Sequence, residues 1–145
     1  MKTRHYTNAE LNLMPDSRLL RLAVKDAKLC EADPNYIMRM NKWHTWHDHL
    51  KRCAVCLAGS VMAKSLDTPL QHTVFSCSEE HGWAYRLDGL RTGDFGHAVA
   101  AASVEQRKAM GRVYRHISDY LDPNKMRAPW AVYLEAADML EAVGL

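Results

Sequence analysis

Apolar side chains recur every three or four positions between residues 17 and 31, which predicts an amphipathic helix. The residues on its apolar side are Leu20, Ala23, Val24, Ala27 and Cys30. The helix should end at Asp33-Pro34-Asn35, because proline disfavours helix at the residue before it. Residues 33–49 carry mixed signals and predict no single element.

A second segment of helical spacing runs from Leu50 to Leu66, interrupted by Gly59. A glycine inside a helix costs about 1 kcal/mol relative to alanine, so Gly59 predicts a place where another backbone approaches closely. Residues 73–75 are the only stretch with a marked preference for β-strand. The sequence therefore predicts at most one short β-hairpin, near residues 70–77.

The clearest helix signal begins at Ser103, which Gln106 follows at the spacing of a capping box. This pattern predicts a helix over residues 103–121. Its expected buried face consists of Met110, Val113, Tyr114, Ile117 and Leu121.

Three further helices are predicted in the C-terminal half, over residues 83–93, 95–102 and 129–143. Pro129 suits the first turn of the last of these. The helices over 103–121 and 129–143 are joined by a short loop, so we expect them to pack antiparallel as a C-terminal helical hairpin.

Length and composition predict a single helical domain over residues 1–145. The hydrophobic fraction is 48% and the charged fraction 25%, which argues against a disordered or fibrous chain. The fold class expected is mainly α: a compact bundle of about five helices with the C-terminal hairpin and at most one short β-hairpin near residues 70–77.

Charge and hydropathy restrict the expected surroundings. No apolar run resembles a secretory signal or a membrane span, so we expect a cytoplasmic protein without a membrane partner. The formal net charge of +2 is too small to indicate nucleic acid by itself. Charge arguments must therefore be local.

Basic residues are organised by helix. The first helix carries a row opposite its apolar face, and we take it with two tryptophans as the expected partner-binding surface: Arg18, Arg21, Lys25, Lys28, Trp43 and Trp46. Solubility alone is the competing explanation for the row. Similar rows are Lys108, Arg112 and Arg115 on the penultimate helix, and the acidic Glu135, Asp138 and Glu141 on the last.

Cysteine and histidine spacing leaves a zinc site open as an alternative. Its four ligands would be Cys53, Cys56, Cys77 and His81, in a C-x2-C and C-x3-H pattern. The apolar residues around Cys53 and Cys56 suit a buried helix better than a zinc turn, so we expect packing thiols, no metal and no cofactor.

The segment from Trp43 to His49 concentrates histidines, which can transfer protons near neutral pH. Asp48 is available to orient a neighbouring imidazole. The chain has no recognisable nucleophile motif, phosphate loop or carboxylate pair, so we expect a non-enzymatic role. A small hydrolase or nucleotide-handling enzyme that uses these histidines is the alternative.

The stretch Trp43-His44 through Cys53-Ala54-Val55-Cys56-Leu57-Ala58-Gly59-Ser60-Val61-Met62-Ala63 resembles one found in small uncharacterised proteins of tailed phages. The resemblance implies a cytoplasmic accessory protein made during infection that counters host defence or redirects a host machine. We therefore expect a non-enzymatic protein that binds a host protein. A zinc-stabilised module that binds nucleic acid through the basic rows is the alternative.

Overall fold

The computed structural model is 54% helical, which confirms the mainly α class. The structure describes residues 5–74 and 79–145. Within these ranges it contains six α-helices: α1 (Asn8–Leu13), α2 (Asp16–Ala32), α3 (Leu57–Lys64), α4 (Gly82–Leu90), α5 (Val104–Tyr120) and α6 (Trp130–Glu141). Two short 3-10 helices cover Glu79–His81 and Val99–Ala101.

A small mixed sheet lies between α2 and α3 in the sequence. Its strands are β1 (Tyr36–Met38), β2 (His44–His47) and β3 (Arg52–Val55), in the order β1-β3-β2. Strand β3 is central, because it pairs in parallel with β1 and antiparallel with β2. The register places Tyr36 beside Cys53 and Trp46 beside the same cysteine on the other side.

This sheet corrects the predicted helix over residues 50–66. Only its second half is helical, and residues 52–55 form β3. Cys53, Ala54 and Val55 are all fully buried, so the strand lacks the alternation that would distinguish it from a buried helix.

The strand prediction was also misplaced, since the three strands fall within residues 36–55 rather than near residues 70–77. Val74 forms an isolated antiparallel bridge with His44. Residues 75–77 of the predicted hairpin lie outside the described residues.

The predicted helix boundaries near residues 17–31 and 103–121 are confirmed by α2 and α5. Both hydrogen bonds of the capping box join Ser103 and Gln106. The predicted face of α5 was wrong at one position, because Tyr114 is 55% exposed while Ala109 takes a buried place.

Helix α2 is the central element of the core, because it packs against α3, α4, α6 and β1. Its buried face is wide and includes Leu19, Leu20, Ala23, Val24 and Ala27. A smaller apolar cluster lies around Cys30, Tyr36 and Cys53, next to the sheet. The sheet is therefore joined to the C-terminal half of α2 through β1, and it also packs on α3 through β2 and β3.

Gly59 confirms the close approach that the sequence predicted. A Cβ atom built on Gly59 would lie 1.2 Å from the carbonyl oxygen of Trp43. The backbone of α3 thus packs directly on the chain that enters β2. Only glycine fits this contact, because the obstructing atoms belong to a backbone.

We expect Gly59→Ala to lower the free energy of unfolding by about 3 kcal/mol or more, since the added methyl group must separate α3 from residue 43. Urea denaturation measures this loss. Gly82→Ala is the matched control, because its Cβ would meet only the side-chain oxygen of Asn12 at 3.4 Å. Equal stability of the two variants would contradict the close approach.

Asp26 is a buried carboxyl group on the face of α2 that packs toward α3. It is 1% exposed and accepts a 2.6 Å hydrogen bond from the Ser65 hydroxyl. Burial raises the pKa of Asp26 to about 6, against the smaller opposing effect of the Ser65 hydrogen bond. Asp26 therefore holds its proton in the folded protein at a pH where the unfolded chain has lost it.

The folded protein binds the Asp26 proton more tightly than the unfolded chain does. Stability should therefore fall as the pH rises from about 4 to about 6 and this proton is lost. Asp26→Asn keeps an acceptor for Ser65 and removes this titration. We expect the variant to be more stable than the parent at pH 7 by on the order of 3 kcal/mol, with the difference vanishing near pH 4. Chemical denaturation at several pH values measures it, and a difference independent of pH would refute it.

Candidate protein-binding site

The predicted basic row of α2 is divided by contacts within the fold. Arg18, Lys25 and Lys28 are exposed. Arg21 instead donates to Asp138 at 2.7 Å and to Glu141 at 2.6 Å. The basic row of α2 and the acidic row of α6, which the sequence presents as separate surfaces, thus partly neutralise each other.

The two predicted surface tryptophans are both partly buried. Trp43 donates its indole N–H to Asp88 at 2.8 Å, and its ring packs edge to face against Tyr85. Trp46 packs against the apolar cluster around Tyr36 and Cys53. Each ring therefore has a structural role within the domain.

The two thiols of the C-x2-C pattern lie in different parts of the core. Cys53 is in β3 and belongs to the small cluster beside the sheet, whereas Cys56 caps α3 and belongs to the main core. The expectation that both lie on one helix is therefore wrong. Burial raises the pKa of Cys53 to about 11 and that of Cys56 to about 12, so both thiols stay protonated at neutral pH.

The positions of Cys77 and His81, the other two ligands of the predicted zinc site, leave that prediction untested. Cys77 lies outside the described residues, and the imidazole of His81 packs edge to face on the indole of Trp43. Among residues 5–74 and 79–145, no group of three or more His, Cys, Asp and Glu side chains is arranged to hold a metal ion. The zinc alternative stays a prediction.

Asp48 has no histidine partner among the described contacts, and the rings of His47 and His49 pack edge to face on each other with centroids 5.7 Å apart. His44 is fully buried, and its Nδ1 donates to the carbonyl of His72. Burial lowers the pKa of His44, which favours the neutral imidazole. Asp48 accepts a hydrogen bond from Lys51 in the exposed turn between β2 and β3.

The structure does pair a histidine with an aspartate, at positions that the sequence did not single out. Asp16, the first residue of α2, accepts from Arg86 at 2.7 Å and lies 2.9 Å from His97 Nε2. Burial opposes ionisation of Asp16, but the hydrogen bonds from His97 and Arg86 hold its pKa below the usual value. We assign this cluster a structural role, since it ties the start of α2 to α4 and to the chain before α5.

A cleft of about 410 Å³, here called the cationic cleft, lies beside the loop that joins α5 to α6. Its wall on one side follows β1 and on the other is formed by the loop. The residues that line it are Glu31, Ile37, Met38, Arg39, Met40, Asn41, Asn124, Lys125, Met126 and Arg127. Thioether side chains adapt to differently shaped apolar groups, and the cations favour an acidic ligand.

The loop beside the cleft is braced from within the protein. Arg91 donates to the carbonyl of Met126, and the Tyr133 hydroxyl donates to the carbonyl of Arg91 at 2.7 Å. The same hydroxyl accepts from the amide of Ala128 at 3.0 Å. The turn is closed by a bridge between Asp122 and Arg127. These bonds anchor the loop to the end of α4 and to α6.

Met126 is the unusual residue of this loop. Its φ of 59° lies in the left-handed region, which favours glycine and costs other residues roughly 1–2 kcal/mol. The side chain is nevertheless apolar and 42% exposed. The fold thus maintains a strained backbone that presents a methionine to the cleft.

Arg127 is fixed at the base of the cleft and is only 9% exposed. Its guanidinium stacks 3.6 Å above the ring of Trp130 and contacts Glu31 at 3.3 Å. Glu31 also accepts from the Trp130 indole N–H at 2.9 Å. The only acidic residue among those lining the cleft is therefore paired, while Arg39 and Lys125 remain exposed.

The sequence did not reveal this site, because residues 31 and 37–41 are more than eighty positions away from residues 124–127. One signal was available. Lys28 lies one helical turn before Glu31, so the predicted basic row of α2 leads toward the cleft.

No protein family, curated protein or solved structure matches the chain. Within the described residues, no helix is long and apolar enough to cross a membrane.

The sequence alone suggests that Arg18→Glu combined with Arg21→Glu leaves thermal stability nearly unchanged. The contacts of Arg21 alter this expectation. Arg21→Glu should lower the melting temperature by roughly 3 °C, because it breaks two ion pairs and adds a third negative charge to that cluster. Lys28→Glu is the control and should change it by less than about 1 °C. Equal melting temperatures would show that the ion pairs do not form in solution.

Proposed function

We propose that this chain is a non-enzymatic, phage-type accessory protein that binds a host protein in the cytoplasm of an infected cell. Its effect would be to counter host defence or to redirect a host machine, as the resemblance around residues 43–63 implies. The cationic cleft is the proposed binding site. We also propose that α5 and α6 form a helical hairpin, and that the loop between them forms one wall of the cleft.

The observation that carries the proposal is the exposed Met126 on a strained and braced loop. Backbone strain persists only where the surrounding structure enforces it, and it is concentrated at functional positions. Met126 belongs to neither apolar cluster of the described residues, and 42% of the residue is exposed. A partner that buries it would recover apolar surface that the folded chain leaves in water.

The charges around Met126 indicate what that partner presents. Arg39 and Lys125 are exposed beside the thioethers of Met38 and Met40. An acidic segment with one apolar side chain would place that side chain among the methionines and its carboxylates against the cations. A volume of about 410 Å³ accommodates one large side chain and the backbone near it.

The hairpin is supported by one contact far from the loop. Gln106, near the start of α5, donates its side-chain amide to the carbonyl of Val143 beyond the end of α6. An antiparallel pair brings these two ends together.

Replacing Met126 with a photo-crosslinking amino acid should yield a covalent complex with a host protein in lysate, whereas the same replacement at exposed Leu50 should not. With that protein in hand, Met126→Gly should weaken binding at least tenfold, because the buried thioether is lost. It should leave stability equal or higher, because glycine relieves the left-handed strain.

Lys125→Glu tests the charge and should also weaken binding at least tenfold, with Lys51→Glu in the turn after β2 as the matched control. Crosslinks of equal yield at positions 126 and 50 would refute the site. Loss of binding in Met126→Gly only in proportion to lost folded protein would do the same.

A further inference from the structure

A second groove, here called the α5 groove, lies between α5 and the chain over residues 92–99 and has a volume of about 630 Å³. Phe95 and Met110 form its buried floor. Val99 and Tyr114 stand at its sides and are 44% and 55% exposed. None of the residues that line it belongs to the cationic cleft.

Gly111 lies in the middle of α5 and lines this groove. A Cβ atom at Gly111 would meet nothing within 4 Å, in contrast to Gly59, where it would collide with a backbone. Glycine lowers the stability of an exposed helix relative to alanine. The packing of the described residues therefore gives no reason for a glycine here, and its effect is to leave the helix backbone accessible from outside.

Cations flank this opening. Arg107 and Arg115 lie four residues before and after Gly111, which places them on the same side of α5, and both are exposed. Asp94 also lines the groove, and its carboxylate accepts from the amide of Gly96 at 2.8 Å. The surface of α5 is thus positive on both sides of the open backbone at Gly111, whereas the only charged residue that lines the groove itself is Asp94.

From these observations we propose that the α5 groove is a docking site for an acidic amphipathic helix of a partner protein. On this side the lining runs from Met110 in α5 to Leu121 just after its end, about 16 Å or three turns at the rise of an α-helix. A small residue of the partner packs on Gly111, and acidic residues one turn away on either side reach Arg107 and Arg115. The apolar floor favours a helix over nucleic acid, because a phosphate backbone would leave Phe95 and Met110 uncovered.

The probe is a fluorescent, hydrocarbon-stapled 14-residue helix with alanine at its centre, leucines on one face and glutamates one turn from the alanine. A second peptide carries lysines in place of the glutamates. By fluorescence anisotropy, the acidic peptide should bind the full chain at least tenfold more tightly than the basic peptide.

Gly111→Ala should weaken binding of the acidic peptide at least tenfold while raising the melting temperature by roughly 3 °C. This opposite movement separates docking from stability. Gly82→Ala, an exposed glycine at the start of α4, should leave binding unchanged. Met126→Gly should also leave it unchanged, so this proposal and that for the cationic cleft can fail separately.

Four results would overturn the proposal. These are failure of the acidic peptide to bind, equal binding by Gly111→Ala, and displacement of the peptide by a single-stranded oligonucleotide that contacts Gly111. The fourth is self-association in sedimentation velocity that Gly111→Ala abolishes, since the occupant would then be a second copy of the chain.

Discussion

The structure depends on the burial of helix α2 on most of its circumference. This helix packs against α3, α4, α6 and β1, and a change in its position would disturb each of them. Two acidic residues are buried along this helix. Asp16 lies at its start, where Arg86 and His97 bind the carboxylate, and Asp26 lies in its middle, where burial raises the pKa of the carboxyl group. The exposed part of α2 includes the basic row, which Arg21 joins to α6, together with Leu29 and Glu31 near its C-terminal end.

The sheet is held to this helical core by a contact between backbones. Gly59 allows α3 to approach the carbonyl of Trp43, directly before β2. The neighbouring thiols, Cys53 and Cys56, then fill separate apolar clusters. A stretch rich in apparent ligands and proton carriers thus functions within the domain chiefly as packing and capping.

The two proposed binding sites lie where the molecule departs from what stability alone would favour. Met126 keeps a left-handed backbone and an exposed thioether, although glycine would relieve the strain. Gly111 keeps an open helix backbone, although alanine would stabilise the helix. Both residues have cations nearby, and both are positions at which a partner would supply the missing contacts. The inference from local instability to recognition is the same in each case.

The sequence by itself determined the helical class and the boundaries of the helices with strong end signals, because caps and proline act through neighbours within a few residues. Ser103 with Gln106 and Pro34 after α2 are examples. It also determined that Gly59 meets a backbone, although not which one. Strand β3 was missed because three consecutive buried residues, Cys53 to Val55, show no periodicity. Only the tertiary structure decided two further features. One is the pairing of Arg21 with α6, and the other is the position of residues 31, 37–41 and 124–127 around one cleft. They join positions dozens of residues apart, and no local pattern encodes such distances.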